Sequence, residues 1–342
     1  SGLTLLPGPD LSRETGPVGF VAQSGGISID FAHAGKWMGV KFSKMVSFGN
    51  GADLREAELL HYFADDPETQ VVSLYIEGIK DGDAFFRELA KTAAKKPVIV
   101  LKGGLSRAGA RSVASHTASM GGSREIWSSI LKQARAVEVH DTEELAQTTL
   151  AFAGLPGRAF RNISIVGGGG AIGVTACDTA ESYGIEIPPL SADLRTRIEG
   201  MLPRPGSSAT NPIDVANPFV APAILKEVLL AAAADPQIDL QILVSLLFHY
   251  KTIARFMGRP IAEVTPFREL ATAVRDVVEQ TGKPVVAVLS SARRDADSLD
   301  VIEMTALARQ EYLRCGIPVF DELHDALRAV SHMNDYYEGR IK

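Results

Sequence analysis

The sequence predicts two tandem α/β domains, over residues 16–154 and 160–340, each a doubly wound parallel sheet covered on both faces by helices. Three anchors recur in the same order in both halves. A short apolar strand runs into a glycine-rich turn and then a helical pattern. An Asp-Pro step stops a helical run just before a second apolar strand, and a Lys-Pro step opens a third. Three matches in one order are the signature of an internal repeat.

In the first half, residues 18–22 (Val-Gly-Phe-Val-Ala) are the opening strand, Gln23-Ser24-Gly25-Gly26-Ile27 the turn, and a helix reaches about Met38. A helical run over 55–63 stops at Asp66-Pro67, because proline lacks the N–H a helix needs and restricts the residue before it. Strands follow at 71–76 and, behind Lys96-Pro97, at 98–101; a strand at 136–139 and a helix over 142–153 close the half. The second half repeats this. A strand at 163–166 enters Gly167-Gly168-Gly169-Gly170, and a helix reaches about Tyr183. A helical run over 224–232 stops at Asp235-Pro236, and strands follow at 240–245 and, behind Lys283-Pro284, at 285–289. A strand at 317–320 and a helix over 321–333 end it. The break between halves falls in Gly154-Leu155-Pro156-Gly157-Arg158.

Composition bounds the function. With 342 residues, 46% of them hydrophobic, the chain can bury two cores. A net charge of -6 argues against a nucleic-acid or membrane-surface partner. Cys177 and Cys315 are too few for a disulfide framework, which fits a reducing cytoplasm. No apolar run approaches the roughly 18 residues that span a bilayer, and the first residues lack the pattern of a signal peptide.

In open α/β sheets ligands gather at the carboxyl ends of the strands, where helix N-termini offer unpaired N–H groups and the positive end of a dipole. Ser24, Gly25 and Gly26 form one such start, and Gly168, Gly169 and Gly170 another. Both fit either a phosphate cradle or simply tight turns. Neither is a phosphate-binding loop of the Gly-x-x-x-x-Gly-Lys type. The Gly168-x-Gly170-x-x-Gly173 spacing lacks a clear acidic partner downstream, Glu186 being poorly placed, so it does not indicate a nicotinamide site. His116 stands in Ser106-Arg107-Ala-Gly-Ala-Arg111-Ser-Val-Ala-Ser-His116-Thr-Ala-Ser-Met-Gly-Gly-Ser, with no neighbouring Cys or His to make a metal site and no nucleophile to make a triad. It fits an exposed loop histidine or an imidazole that is itself the nucleophile. Glu77 follows the 71–76 strand at the functional edge, where a carboxylate can accept an imidazole N–H.

Together these residues resemble the nucleoside-diphosphate-forming acyl-CoA synthetases, relatives of succinyl-CoA synthetase. The resembling stretches are Gly19 to Gly26, Gly49-Asn50-Gly51-Ala52-Asp53, Tyr75-Ile76-Glu77-Gly78-Ile79, Ser115-His116-Thr117-Ala118-Ser119 and Asn211-Pro212-Ile213-Asp214, and the resemblance covers essentially the whole chain. It implies a phosphohistidine-bearing domain followed by the related ligase domain, both flavodoxin-like. It implies a carboxylic acid joined to CoA while ATP becomes ADP and phosphate, through an acyl phosphate and a phosphohistidine. His116 is then the residue phosphorylated, Glu77 its supporting carboxylate, and Ser24, Gly25 and Gly26 the helix start that receives the phosphate. CoA, ATP and Mg2+ belong to the complete enzyme. The family's CoA-binding domain and ATP-grasp domain are expected as partners outside this chain, with a homo-oligomer also compatible. One departure is Phe248-His249-Tyr250-Lys251, where relatives tend to carry a glycine-rich helix start. Two other readings remain: an acyl-CoA-sensing module that regulates an attached acetyltransferase, and a scaffold using helix faces over 85–91 and 263–274. An intact His116 with Glu77 favours the enzyme.

Overall fold

The first strand, β1 (Thr15–Ala22), is sealed from water in its second half: Val18, Phe20, Val21 and Ala22 are all 0% exposed. Residues buried on both faces are what a central parallel strand requires. The computed structural model describes residues 14–109, 111, 123–290 and 295–339. Two units emerge, one built from residues up to 153 together with those from 332 on, the other from 154 to 331. The tail of the last helix therefore groups with the first unit rather than with the second.

The first unit continues with α1 (Gly25–Met38), β2 (Phe42–Ser47), α2 (Glu56–Asp65), β3 (Val71–Ile76), α3 (Gly82–Ala93), β4 (Val98–Lys102), α4 (Arg124–Ala134), β5 (Val137–Val139) and α5 (Thr142–Gly154). Its five strands lie in the order β2-β1-β3-β4-β5, every neighbouring pair parallel. The second unit is β6 (Ile163–Gly167), α6 (Gly170–Ser182), α7 (Ala192–Glu199), β7 (Ile213–Asp214), α8 (Pro222–Ala233), β8 (Leu240–Val244), α9 (Tyr250–Met257), α10 (Ile261–Val264), α11 (Phe267–Thr281), β9 (Val285–Val288), α12 (Leu299–Arg314), β10 (Val319–Phe320) and α13 (Leu323–Tyr337). Its order, β7-β6-β8-β9-β10, is the same winding, again parallel throughout. Both are the flavodoxin arrangement, whose switch point lies between the first and third strands.

The repeated anchors do the same work in each unit. The Asp66 and Asp235 carboxylates each accept the N–H two residues on, from Glu68 (3.4 Å) and Gln237 (3.1 Å), which turns the chain out of the helix. The Lys-Pro lysine then reaches back to that turn. Lys96 Nζ donates to the Phe63 carbonyl (2.8 Å) and to that of Asp66, and Lys283 Nζ to the Asp235 carbonyl (2.6 Å). An ammonium on the last carbonyls of a helix satisfies them and matches the dipole. Burial lowers the pKa of both lysines.

Asp66 shows what such a clamp contributes. Burial alone would raise its carboxyl, but Lys44 at 2.8 Å, the Thr69 hydroxyl and the Glu68 N–H outweigh this and hold it low. A depressed carboxyl stabilises above its unfolded pKa of about 4 and loses that contribution as pH falls through the folded value. Asp66→Asn is expected to cost about 1–3 kcal/mol at pH 7. The gap between variant and parent should close on acidification, which urea midpoints at pH 7 and pH 3 will read.

Two strands escape the sequence pattern. The edge strand β2 is half-buried along its length and carries Lys44, so it shows neither an apolar run nor clean alternation. The other, β7, has only two residues, and the Asn211 side chain extends that edge, accepting the Ile165 N–H (3.1 Å) and donating to the Ile163 carbonyl (2.8 Å). The helix faces considered for a scaffold turn inward instead. Phe85 and Leu89 pack in the first core, and Phe267, Leu270 and Val274 in the second, so their apolar residues cover their own sheets.

Candidate functional site

The switch point of the first sheet lies between β1 and β3, and the chain leaves each strand there into chemistry-bearing residues. β1 ends at Ala22, and Ser24 caps α1 from an extended conformation, its hydroxyl accepting the Ile27 N–H at 3.4 Å. Ser24 is half-buried, while Gly25 and Gly26 are exposed. The first turn of α1 carries no acidic residue. Its positive end is thus open to solvent and unneutralised from within its own helix, the condition for accepting an anion.

Glu77 sits one residue beyond β3, only 9% exposed, and is gripped from three sides. The buried Gln23 amide oxygen accepts both the Glu77 N–H (2.7 Å) and the Gly78 N–H (2.9 Å). Lys102 Nζ, at the end of β4, donates to the Glu77 carbonyl (2.6 Å) and to that of Gly103. The Tyr75 hydroxyl donates to Glu77 Oε1 (3.0 Å). Gln23 therefore ties the helix start to the backbone that carries Glu77, since its neighbour Ser24 is the cap. Burial lowers the Lys102 pKa against the pull of Glu77, and burial, then Glu77, pushes the Tyr75 phenol up to about 12. The phenol stays a donor across the working pH range.

The second switch point, between β6 and β8, differs. Gly167 faces Val244 so closely that a Cβ there would lie 2.6 Å from the Val244 carbonyl oxygen, so only glycine lets the strands pair. Gly168, Gly169 and Gly170 lead into α6, with Gly169 at φ 103°. Asp214, at the end of β7, lies on this helix start. Its Oδ1 accepts the Gly169 N–H (3.2 Å) and the Ala216 N–H (2.8 Å), and its Oδ2 stands 3.2 Å from where a Gly170 Cβ would be. The turn thus already holds an anion supplied by the chain. A pocket of about 260 Å³ opens beside it, lined largely by apolar residues such as Ile172, Pro212 and Ile213. Asp214→Asn, which keeps the shape and removes the charge, is expected to tighten inorganic phosphate binding at this turn about tenfold. A phosphate titration followed by calorimetry on parent and variant checks it.

His116 lies outside the described residues. Arg107 and Arg111 are exposed, and Arg111 donates to the Arg107 carbonyl (3.2 Å). Lys251 does not reach the second glycine turn: its buried ammonium bonds Asp300 (2.7 Å) and the Asp297 carbonyl. His249 rests against Phe248, ring centroids 4.3 Å apart. Among the described residues no group of three His, Cys, Asp or Glu side chains could hold a metal ion, and no helix is long and apolar enough to cross a membrane. Sequence reasoning missed Gln23, Tyr75 and Lys102 as the frame of Glu77. The available signal was two-residue spacing, which puts Tyr75 and Glu77 on one face of the extended chain. It also missed Asp214 as an occupant of the helix start.

Residues 15–152 match the family model of a succinyl-CoA ligase-like flavodoxin domain. The alpha subunit of ADP-forming acetate–CoA ligase I of Pyrococcus furiosus is 29% identical over 96% of this chain and 65% of its own length. The alpha subunit of ADP-forming acetate–CoA ligase II of the same organism is 30% identical over 92% of this chain and 64% of its own. Among solved structures, a dinucleotide-forming acetyl-coenzyme A synthetase 1 of Candidatus Korarchaeum cryptofilum, in complex with phosphate and ADP, superposes with a TM-score of 0.77 at 27% identity. That match covers 96% of this chain and 67% of that one. The chain spans just under two thirds of the length of the two Pyrococcus subunits.

Proposed function

We propose, from the premise that the chain belongs to the nucleoside-diphosphate-forming acyl-CoA synthetases, that it is the phosphoryl-carrying part of such an enzyme. The complete enzyme joins a small carboxylic acid to CoA while ATP becomes ADP and phosphate. In this reading His116 takes the phosphoryl group, the N-terminus of α1 at Ser24, Gly25 and Gly26 holds it, and Glu77 accepts the free imidazole N–H. The first unit is the phosphohistidine-bearing domain and the second the related ligase domain. The observation that carries the reading is the pairing at one switch point of an open, uncompensated helix start and a carboxylate, joined through Gln23. The phosphate has partners at one station, and the imidazolium charge has one at the next.

Mg2+ and the nucleotide are assigned to an ATP-grasp partner, and CoA to a CoA-binding domain. The Gly168, Gly169 and Gly170 turn serves as a second phosphate station only when Asp214 withdraws from it. The setting is cytoplasmic, and a homo-oligomer is compatible. The test is incubation with labelled ATP, Mg2+ and the ATP-grasp partner. Acid-labile label on this chain is the expected result. An unlabelled chain overturns the reading and brings forward a module that binds acyl-CoA to regulate an attached enzyme.

A further inference from the structure

The grip on Glu77 is asymmetric. Its two carboxylate oxygens differ: Oε1 receives the Tyr75 hydroxyl at 3.0 Å, and Oε2 has no hydrogen-bond partner among the described residues. The backbone on either side cannot shift to change this. Gln23 fixes the N–H groups of Glu77 and Gly78, Lys102 fixes the Glu77 carbonyl, and the Gly103 N–H donates to the Ile76 carbonyl (2.8 Å). Gly103 also supplies the room. A Cβ on it would stand 2.8 Å from the Tyr75 hydroxyl oxygen and 3.4 Å from Glu77 Cγ. No real Cβ approaches an oxygen that closely, so any side chain at 103 must push the phenol off the carboxylate.

We propose that Tyr75 is a positioning residue for Glu77: its hydroxyl engages Oε1, fixes the plane of the carboxylate and leaves Oε2 as the single acceptor presented to an imidazole. This deepens the phosphohistidine reading and rests on it for the identity of the imidazole. The titratable groups that bear on Glu77 from the neighbouring elements are Tyr75 on β3 and Lys102 on β4. Lys102 spends its ammonium on two carbonyls, leaving the phenol as the direct donor to the carboxylate.

The experiment reads the Glu77 side-chain carboxyl resonance by carbon NMR at pH 7 in the whole chain, for the parent, Tyr75→Phe and Gly103→Ala. Tyr75→Phe keeps the ring and its packing, and Gly103→Ala keeps the phenol but displaces it. Both are expected to shift the Glu77 carboxyl resonance in the same direction, because each takes the hydroxyl off Oε1. A Glu77 resonance unchanged in both variants overturns the proposal. The second readout is the rate of acid-labile labelling with the ATP-grasp partner. Tyr75→Phe is expected to slow it about 3- to 10-fold with the KM for ATP unchanged. Labelling at the parent rate also overturns it. A parent that never labels counts against the phosphohistidine reading alone, and the Glu77 resonance then decides the role of Tyr75 by itself.

Discussion

His116→Ala is expected to abolish acid-labile phosphate on the chain, by at least about a thousandfold, with both sheets still folded. Four of the six other histidines have hydrogen-bond partners of their own: His61 and His140 to Glu88 and Glu144, His332 to Glu144, and His324 to the Tyr183 hydroxyl. The apolar clusters of the two units are assembled from the strands and helices named above. A residue flanked by Ser115 and Thr117 in a stretch of small residues reads, from the sequence, as a loop position rather than a core one. Substitutions of this kind change stability by about 0.5 kcal/mol. Unfolding midpoints of variant and parent should therefore coincide while the label disappears. Equal labelling of His116→Ala and parent sinks the phosphohistidine assignment.

The winding of both sheets was legible because buried parallel strands leave an unmistakable trace. Residues 71–76 and 240–244 are almost wholly apolar, and each follows an Asp-Pro turn whose carboxylate, with a lysine some thirty to fifty residues on, rebuilds one clamp. What stayed hidden was set by contacts rather than by pattern. β2 is an edge strand whose lysine pairs across to Asp66, and β7 borrows the Asn211 side chain to complete its edge. Neither leaves a periodicity to read.

The site was legible in its ends and not in its middle. Ser24 and Glu77 could be placed on one edge because each lies within two residues of a strand's end. The Gln23 amide that links them is a long-range contact, 54 residues apart in sequence, and no local rule anticipates it. The two glycine turns looked equivalent as sequence. Asp214 makes them different, because it puts a carboxylate on the start of α6 while the first turn of α1 has none. The start of α1 faces no acid of its own first turn, whereas the start of α6 already faces the Asp214 carboxylate. The repeat thus preserves the winding while the two helix starts diverge in electrostatics.

Glu77→Gln gives the second large effect, about 100-fold in the rate of phosphohistidine formation, and its direction follows from the asymmetric grip. With the Tyr75 hydroxyl donating to one oxygen, the amide of the variant turns its carbonyl toward Tyr75 and its NH2 outward. A donor then faces the imidazole N–H where an acceptor stood, so the variant loses the bond and adds a repulsive contact. The imidazole also loses the negative charge that favours its protonated and phosphorylated forms. Formation slows and the phosphorylated chain decays sooner, whereas His116→Ala never forms it. The backbone bonds from Gln23 and Lys102 go to the N–H and C=O groups of this segment, not to its carboxylate, so they survive the substitution. Pulse labelling followed by a cold chase measures formation and decay separately. Parent-like values for both in Glu77→Gln would remove Glu77 from the chemistry and leave it a strand-end carboxylate held by its neighbours.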